Sequence, residues 1–232
     1  MTVTSPIAGL GATIQRQSTT GQVAAALRDA ILSGGIPPGT PLREAALASE
    51  LAVSRNTIRE AARILEGESL VRYQMNRGIV VAAITAEDVR DIYASRSAAE
   101  MAGLDALVAS RDPVSYEKLA DLVQRIEDAF AGGDAASVAE NDRLFHAALV
   151  SAAGSPRLSR FHARLRQEQR LALTLAEHSS RRLGRTADDH RDLLDALRGS
   201  RAQASAQLAA HLHAGAAELQ RLIALLAQEA AE

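Results

Sequence analysis

Asp142 and His146 stand four residues apart, so a helix would project both from one face. His190 falls in the apolar row of Leu193, Leu194 and Leu197, and His211 joins Leu208, Leu212, Leu219 and Leu222. Three imidazoles and a carboxylate thus point inward from three helices, which is how helical bundles assemble internal metal sites. An inward histidine is also a common hydrogen-bonded core residue, so spacing alone leaves both readings open. His213 sits about 200° round the helix from His211, at ~100° per residue, and should face away. His162 and His178 find no partner by spacing. Imidazole plus carboxylate suits Zn, Ni, Mn or Fe and does not choose among them. Four protein donors leave room on a five- or six-coordinate ion for a ligand carboxylate. A catalytic zinc site also keeps an open position. No general base stands beside this set, however, and its neighbours along the three helices are largely apolar, which favours binding over turnover.

A second group of residues could read nucleic acid. Arg55, Asn56 and Arg59 lie at the start of a helix whose apolar stripe is Ile58, Ala61, Ala62 and Leu65. They fall off that stripe, where a recognition helix presents side chains to base edges in the major groove. Arginine can bond bidentately to guanine and asparagine to adenine. Arg77 and the turn at Gly78 would form the tip of a hairpin, placed for phosphates or the narrow minor groove. The competing reading takes Arg55, Arg59 and Arg63 as a solvated face paired with Glu60 and Glu66.

The elements that must position these residues follow from periodicity. Thr19 to Ser33 carries Val23, Ala26, Leu27, Ala30 and Ile31 at helical spacing, and Gly34-Gly35 with Pro37-Pro38-Gly39 ends it. A short helix over Arg43 to Leu51 precedes Ser54, an N-cap for a helix from Arg55 to about Glu66. Leu70 to Tyr73 and Ile79 to Val81 read as strands about a turn at Met75 to Gly78. Three helices and a hairpin give the winged helix-turn-helix order. From Thr85 onward strand signals vanish, and about six helices are separated at Asp112-Pro113, Gly132-Gly133, Gly154-Ser155-Pro156, Ser179 to Gly184 and Gly199-Ser200. The fold class is therefore mainly α, with residues 18–82 as the winged helix-turn-helix, 83–232 as a helical bundle and 1–17 as a flexible tail.

With 232 residues, 47% of them hydrophobic, the chain fills two domains with buried cores. The absence of cysteine excludes a disulfide framework and thiolate metal sites, and suits a cytoplasmic protein. No stretch is long and apolar enough to cross a bilayer, and the first 17 residues lack the charged and apolar regions of a signal peptide. The net charge of -2 conceals an asymmetry. Through Ala82, eight arginines meet six acidic residues, while 18 basic and 22 acidic residues follow. A basic first third beside an acidic remainder permits DNA binding there.

The stretch LRDAILSGGIPPGTPLREAALASELAVSRNTIREAARILEGESLV, followed by NRGIVV, resembles the GntR family of bacterial regulators almost throughout. That resemblance implies base or phosphate contact by Arg55 and Arg59, support from Asn56 and Thr57, and a wing contact near Gly78. Ala45 replaces an arginine that touches DNA in some members, and Ala62 and Ser69 replace the usual leucine and glycine. Further on, DRLFHAAL, DDHRDLLDALRG and AQLAAHL are similar to the FCD effector domain of one GntR branch. The resemblance implies Asp142, His146, His190 and His211 as ligands of a divalent cation. RSAAE, Arg96 to Glu100, matches that domain's opening helix, where an arginine often faces the effector carboxylate; the alternative for Arg96 is a salt bridge with Glu100. The expected protein is a homodimeric regulator of double-stranded operator DNA, tuned by a small organic acid, with no membrane partner. A metal-dependent enzyme, or a metal-binding bundle with a DNA-binding module, is the alternative.

Overall fold

A computed structural model describes residues 18–174 and 183–229. The expected tail, His178 and the break residues Ser179 to Arg182 lie outside the described residues. The chain divides after Ala82 into two compact units.

The first unit packs three helices against a small antiparallel sheet. Helix α1 (Thr19–Leu32) is capped by Ser18, whose hydroxyl accepts from the Gly21 amide, and buries Val23, Ala24, Leu27, Ile31 and Leu32. Strand β1 (Pro41–Leu42), helix α2 (Glu44–Glu50), helix α3 (Arg55–Gly67), and strands β2 (Val71–Gln74) and β3 (Gly78–Val81) follow. The sheet order is β1-β3-β2, with Tyr73 opposite Ile79 and Leu42 also opposite Ile79 on the other side. Strand β1 was not anticipated, because two residues beginning with proline carry no alternation to read. Its pairing is extended by the Gly39 amide donating to Val81 and the Val81 amide to Thr40. Proline fits there because β1 is an edge strand.

The described residues of the second unit form a bundle of six helices: α4 (Ala86–Ser110), α5 (Pro113–Ala131), α6 (Ala135–Ser151), α7 (Pro156–Thr174), α8 (Leu183–Arg198) and α9 (Arg201–Glu229). Side-chain caps start the first three of these. Thr85 and Asp88 form a reciprocal capping box, and Asp112 and Asp134 accept from the amides of Ser115 and Ser137. Leu104, Leu107, Phe145, Leu149, Leu193 and Leu208 are wholly buried between the helices. Helices α4 and α6 approach unusually closely. A Cβ placed on Gly103 would lie 2.2 Å from the Leu149 carbonyl oxygen and 2.8 Å from the Val150 Cα.

Candidate metal centre and nucleic-acid interface

The buried polar residues of the described chain are concentrated in one place. Arg96, Glu100, His146, His162, Arg166, Gln169 and His190 are the buried polar and charged residues, and all join a single network in the second unit. Around it, α6 supplies Asp142 and His146 one turn apart, α8 supplies His190 and α9 supplies His211. One donor atom of each of these four lies within 4.8 Å of the others. His190 Nε2 is 3.2 Å and His146 Nε2 3.6 Å from Asp142 Oδ1. His211 Nε2 faces His146 Nε2 at 3.1 Å.

The network around the donors explains their orientation. Glu100, fully buried, places Oε2 2.7 Å from His146 Nδ1. A carboxylate only accepts, so the proton of this bond sits on Nδ1 and the ring turns Nε2 toward the cluster. His162 Nε2 lies 3.1 Å from Glu100 Oε1, and Arg96 Nε donates to that oxygen at 3.0 Å. Asp142 accepts from Arg166 Nη2 at 2.5 Å. The rings pack edge to face or stacked on one another, with Phe145 closing the apolar side at 4.9 Å from His190.

A divalent cation fits this donor set. Two imidazole nitrogens facing each other at 3.1 Å suit lone pairs converging on a shared cation. Burial, then the neighbouring His146 and His190 rings, push His211 well below its ordinary value of 6.5, which keeps it a neutral donor. Burial alone would raise the Glu100 and Asp142 carboxyls. His146 and Arg96 around the first, and Arg166 with the two histidines around the second, instead hold both well below the usual carboxylate range.

These directions fix a pH dependence. Burial also lowers His162. For the four groups Glu100, Asp142, His162 and His211 the unfolded chain binds protons more readily than the folded one, so metal-free stability rises with pH. The loss begins as pH falls below 6.5, where the unfolded histidines charge, and deepens below 4.5 and 3.8, the ordinary values of Glu100 and Asp142. Thermal melts of the metal-free protein from pH 7.5 to 4 should show a steadily falling midpoint; a flat profile contradicts the network.

Arg96 was expected either to face a ligand or to pair with Glu100. It pairs with Glu100, stacks over Tyr93 at 4.8 Å, and extends Nη1 to Gln169. Sequence reasoning missed His162, Arg166, Gln169 and Tyr93, which carry no local signal. His213 is exposed, as its angle round the helix required. An open cleft of about 320 Å³ between α5 and α6 touches Lys118, Asp121 and Arg125, but none of these is buried, so it offers no comparable chemistry.

In the first unit, Ser54 Oγ accepts from the Thr57 amide at 3.0 Å and starts α3. Ile58, Ala61, Ala62 and Leu65 are buried, leaving Arg55, Asn56 and Arg59 exposed and Thr57 half-buried on the opposite side. Arg59 Nε bonds Glu44 at 2.7 Å, and Arg63 pairs with Glu60, so part of the solvated-face reading holds in the isolated unit. At the hairpin, Asn76 and Gly78 adopt φ of 65° and 73°, turning the chain so that Arg77 is exposed beside Tyr73 and Met75, 71% and 85% exposed.

Two family models match this chain: that of the bacterial regulatory proteins of the gntR family over residues 19–81, and that of the FCD domain over residues 91–214. A probable D-xylose utilization operon transcriptional repressor of Paenarthrobacter nicotinovorans is 31% identical over 196 residues, covering 81% of this chain and 84% of that one. A gluconate operon transcriptional repressor of Bacillus licheniformis is 34% identical over 137 residues, 59% of this chain. That match spans 56% of the gluconate repressor, little more than half its length. A crystal structure of a putative GntR transcriptional regulator from Rhodococcus sp. RHA1 superposes with a TM-score of 0.74 at 33% identity, over 87% of this chain and 97% of that one. These families and relatives are regulators rather than enzymes. No helix among the described residues is long and apolar enough to cross a membrane.

Proposed function

The chain belongs to the GntR family of bacterial regulatory proteins, in the branch that carries an FCD domain, and on that premise we propose a metal-dependent, carboxylate-responsive operator-binding protein. Two copies place their α3 helices in successive major grooves of a palindromic site, ~34 Å apart. Arg55 and Arg59 contact bases or phosphates, Asn56 and Thr57 support them, and Arg77 with Gly78 meets the neighbouring groove. The observation that carries the DNA reading is the exposure of Arg55, Asn56 and Arg59 opposite a buried α3 stripe.

In the helical unit Asp142, His146, His190 and His211 hold a divalent cation of the Zn, Ni, Mn or Fe class. The cation supplies a Lewis-acidic position at which a small carboxylate binds. Glu100 orients His146 for this, and Arg96 and Arg166 favour negative charge nearby. Carboxylate binding shifts operator affinity by no more than its differential affinity for the two states. Recovery of protein-bound fragments from sheared source DNA tests the proposal. Enrichment of one short palindrome near the protein's own gene is expected, and uniform recovery of all fragments would overturn it.

The Arg59–Glu44 pair gives a second expectation. Glu44 must release Arg59 for DNA contact, and its charge repels phosphates. Glu44→Gln should raise operator affinity about two- to fivefold, an exposed pair contributing little to stability itself. Fluorescence anisotropy on an operator duplex measures it; weaker binding would show that Glu44 positions Arg59 rather than restraining it.

A further inference from the structure

Helix α7 gives none of the four donors, which come from α6, α8 and α9. Its buried polar residues are His162, Arg166 and Gln169, which fall at i, i+4 and i+7 along one side. Each touches the metal centre or its immediate support. His162 Nε2 lies 3.1 Å from Glu100 Oε1, Arg166 Nη2 donates to Asp142 Oδ2, and Gln169 Oε1 accepts from Arg96 Nη1 at 2.8 Å.

The two carboxylates divide their oxygens in the same way. Glu100 gives Oε1 to His162 and Arg96 and keeps Oε2 for His146 Nδ1 at 2.7 Å. Asp142 gives Oδ2 to Arg166 and turns Oδ1 toward His146 Nε2 at 3.6 Å and His190 Nε2 at 3.2 Å. Both nitrogens of the His146 ring therefore face a carboxylate oxygen whose twin is tied to α7. Carboxylates are planar, so holding one oxygen aims the other. Arg96 reaches Glu100 from the preceding turn of α4, and one such donor leaves the carboxylate free to pivot about that bond. His162 approaches from a different helix, and the two donors together fix the plane. At 1% exposure, His162 meets no competing water for that oxygen.

From this geometry we infer that His162 is a positioning residue of the metal centre: it acts through Glu100 on His146 and ties the packing of α7 to metal binding. The inference rests on the metal reading above and adds a residue and a helix outside the donor set. Linkage makes the effect reciprocal, so a helix that strengthens metal binding is itself held more firmly in the loaded protein.

Titration of the full-length protein with Co(II), a spectroscopic stand-in for Zn, tests it, because the visible absorption reports donor geometry as well as affinity. His162→Leu should bind Co(II) about tenfold more weakly, the lower end of the range for a lost supporting partner, and its absorption bands should change. His162→Gln keeps a side-chain N–H for Glu100 and should recover most of the affinity together with the unaltered spectrum. Unchanged affinity and spectrum in His162→Leu overturn the inference and leave the metal site standing, and so do equal losses in the two variants. Absence of Co(II) binding in the unaltered protein overturns the metal reading, and this inference with it. If neither variant folds, hydrogen exchange in the unaltered protein decides. Saturating Co(II) should slow the α7 amides around His162 along with those of α6, and slowing confined to α6, α8 and α9 overturns the inference.

Discussion

Asp142→Ala and His190→Ala should each lower divalent-metal affinity by at least about a hundredfold, since losses of outer-shell partners alone cost ~10–100-fold. Each removes one of four donors that lie within 4.8 Å of one another. His190 is wholly buried against Phe145, so its truncation also opens a gap at the apolar side of the cluster. Glu100→Gln should fall in the ~10–100-fold range, because it leaves the donors in place and disturbs only the orientation and basicity of His146. His213→Ala, on the exposed side of α9, should change nothing. Competition with a fluorescent chelator measures all four variants. Retention of full affinity by the Asp142 and His190 variants would remove the metal site, whereas uniform loss including His213→Ala would indicate unfolding.

The second large effect comes from a residue that touches no ligand. Gly103 lies on α4 one turn beyond Glu100, and Leu149 lies on α6 one turn beyond His146. A methyl group at Gly103 would meet the Leu149 carbonyl oxygen and carbon at 2.2 and 2.7 Å and the Val150 Cα at 2.8 Å. These are backbone atoms, so no side-chain rotation relieves the clash, and the two helices must separate. Overpacking of this kind costs about 2–4 kcal/mol, which lowers the melting midpoint of a chain this size by roughly 5–15 °C. Separation also stretches the 2.7 Å bond between Glu100 and His146, so Gly103→Ala should weaken metal binding as well. Gly67→Ala serves as the control. Nothing lies within 4 Å of its added Cβ, and alanine's better helix propensity should leave stability unchanged or slightly higher. Equal melting points for the two variants would contradict the close helix approach.

Why some of this could be read from sequence and some could not is a matter of range. The apolar stripe of α3, its Ser54 cap and the inward rows holding His190 and His211 are local features, each set within a turn or two. The helix break read at Asp112-Pro113 is likewise local, since Asp112 caps the helix that starts there. Contacts spanning many residues left no such trace. Arg96 reaches Gln169 across 73 positions and Gln169 reaches Tyr93 across 76. These partners are chosen by how α4 and α7 pack, which no periodicity encodes. His162 lacked a partner by spacing because that partner, Glu100, lies 62 positions away. The Glu44–Arg59 pair was missed for the same reason, since it joins two helices across the turn between them. Strand β1 is legible only through its partner β3. Ser69 shows the reverse case: it stands where the family usually has glycine, and its φ of 61° is the left-handed conformation that glycine adopts without strain.

The measurement closest to the central claim is the affinity of the full-length protein for an operator duplex, by anisotropy, with and without Arg55→Ala. Arg55 is exposed on the first turn of α3, so its removal should leave the melting point unchanged. A base-reading arginine contributes about 1–3 kcal/mol, hence a loss of roughly 5- to 150-fold in affinity for the operator and less for unrelated DNA. Undiminished operator binding by Arg55→Ala would contradict recognition through the start of α3.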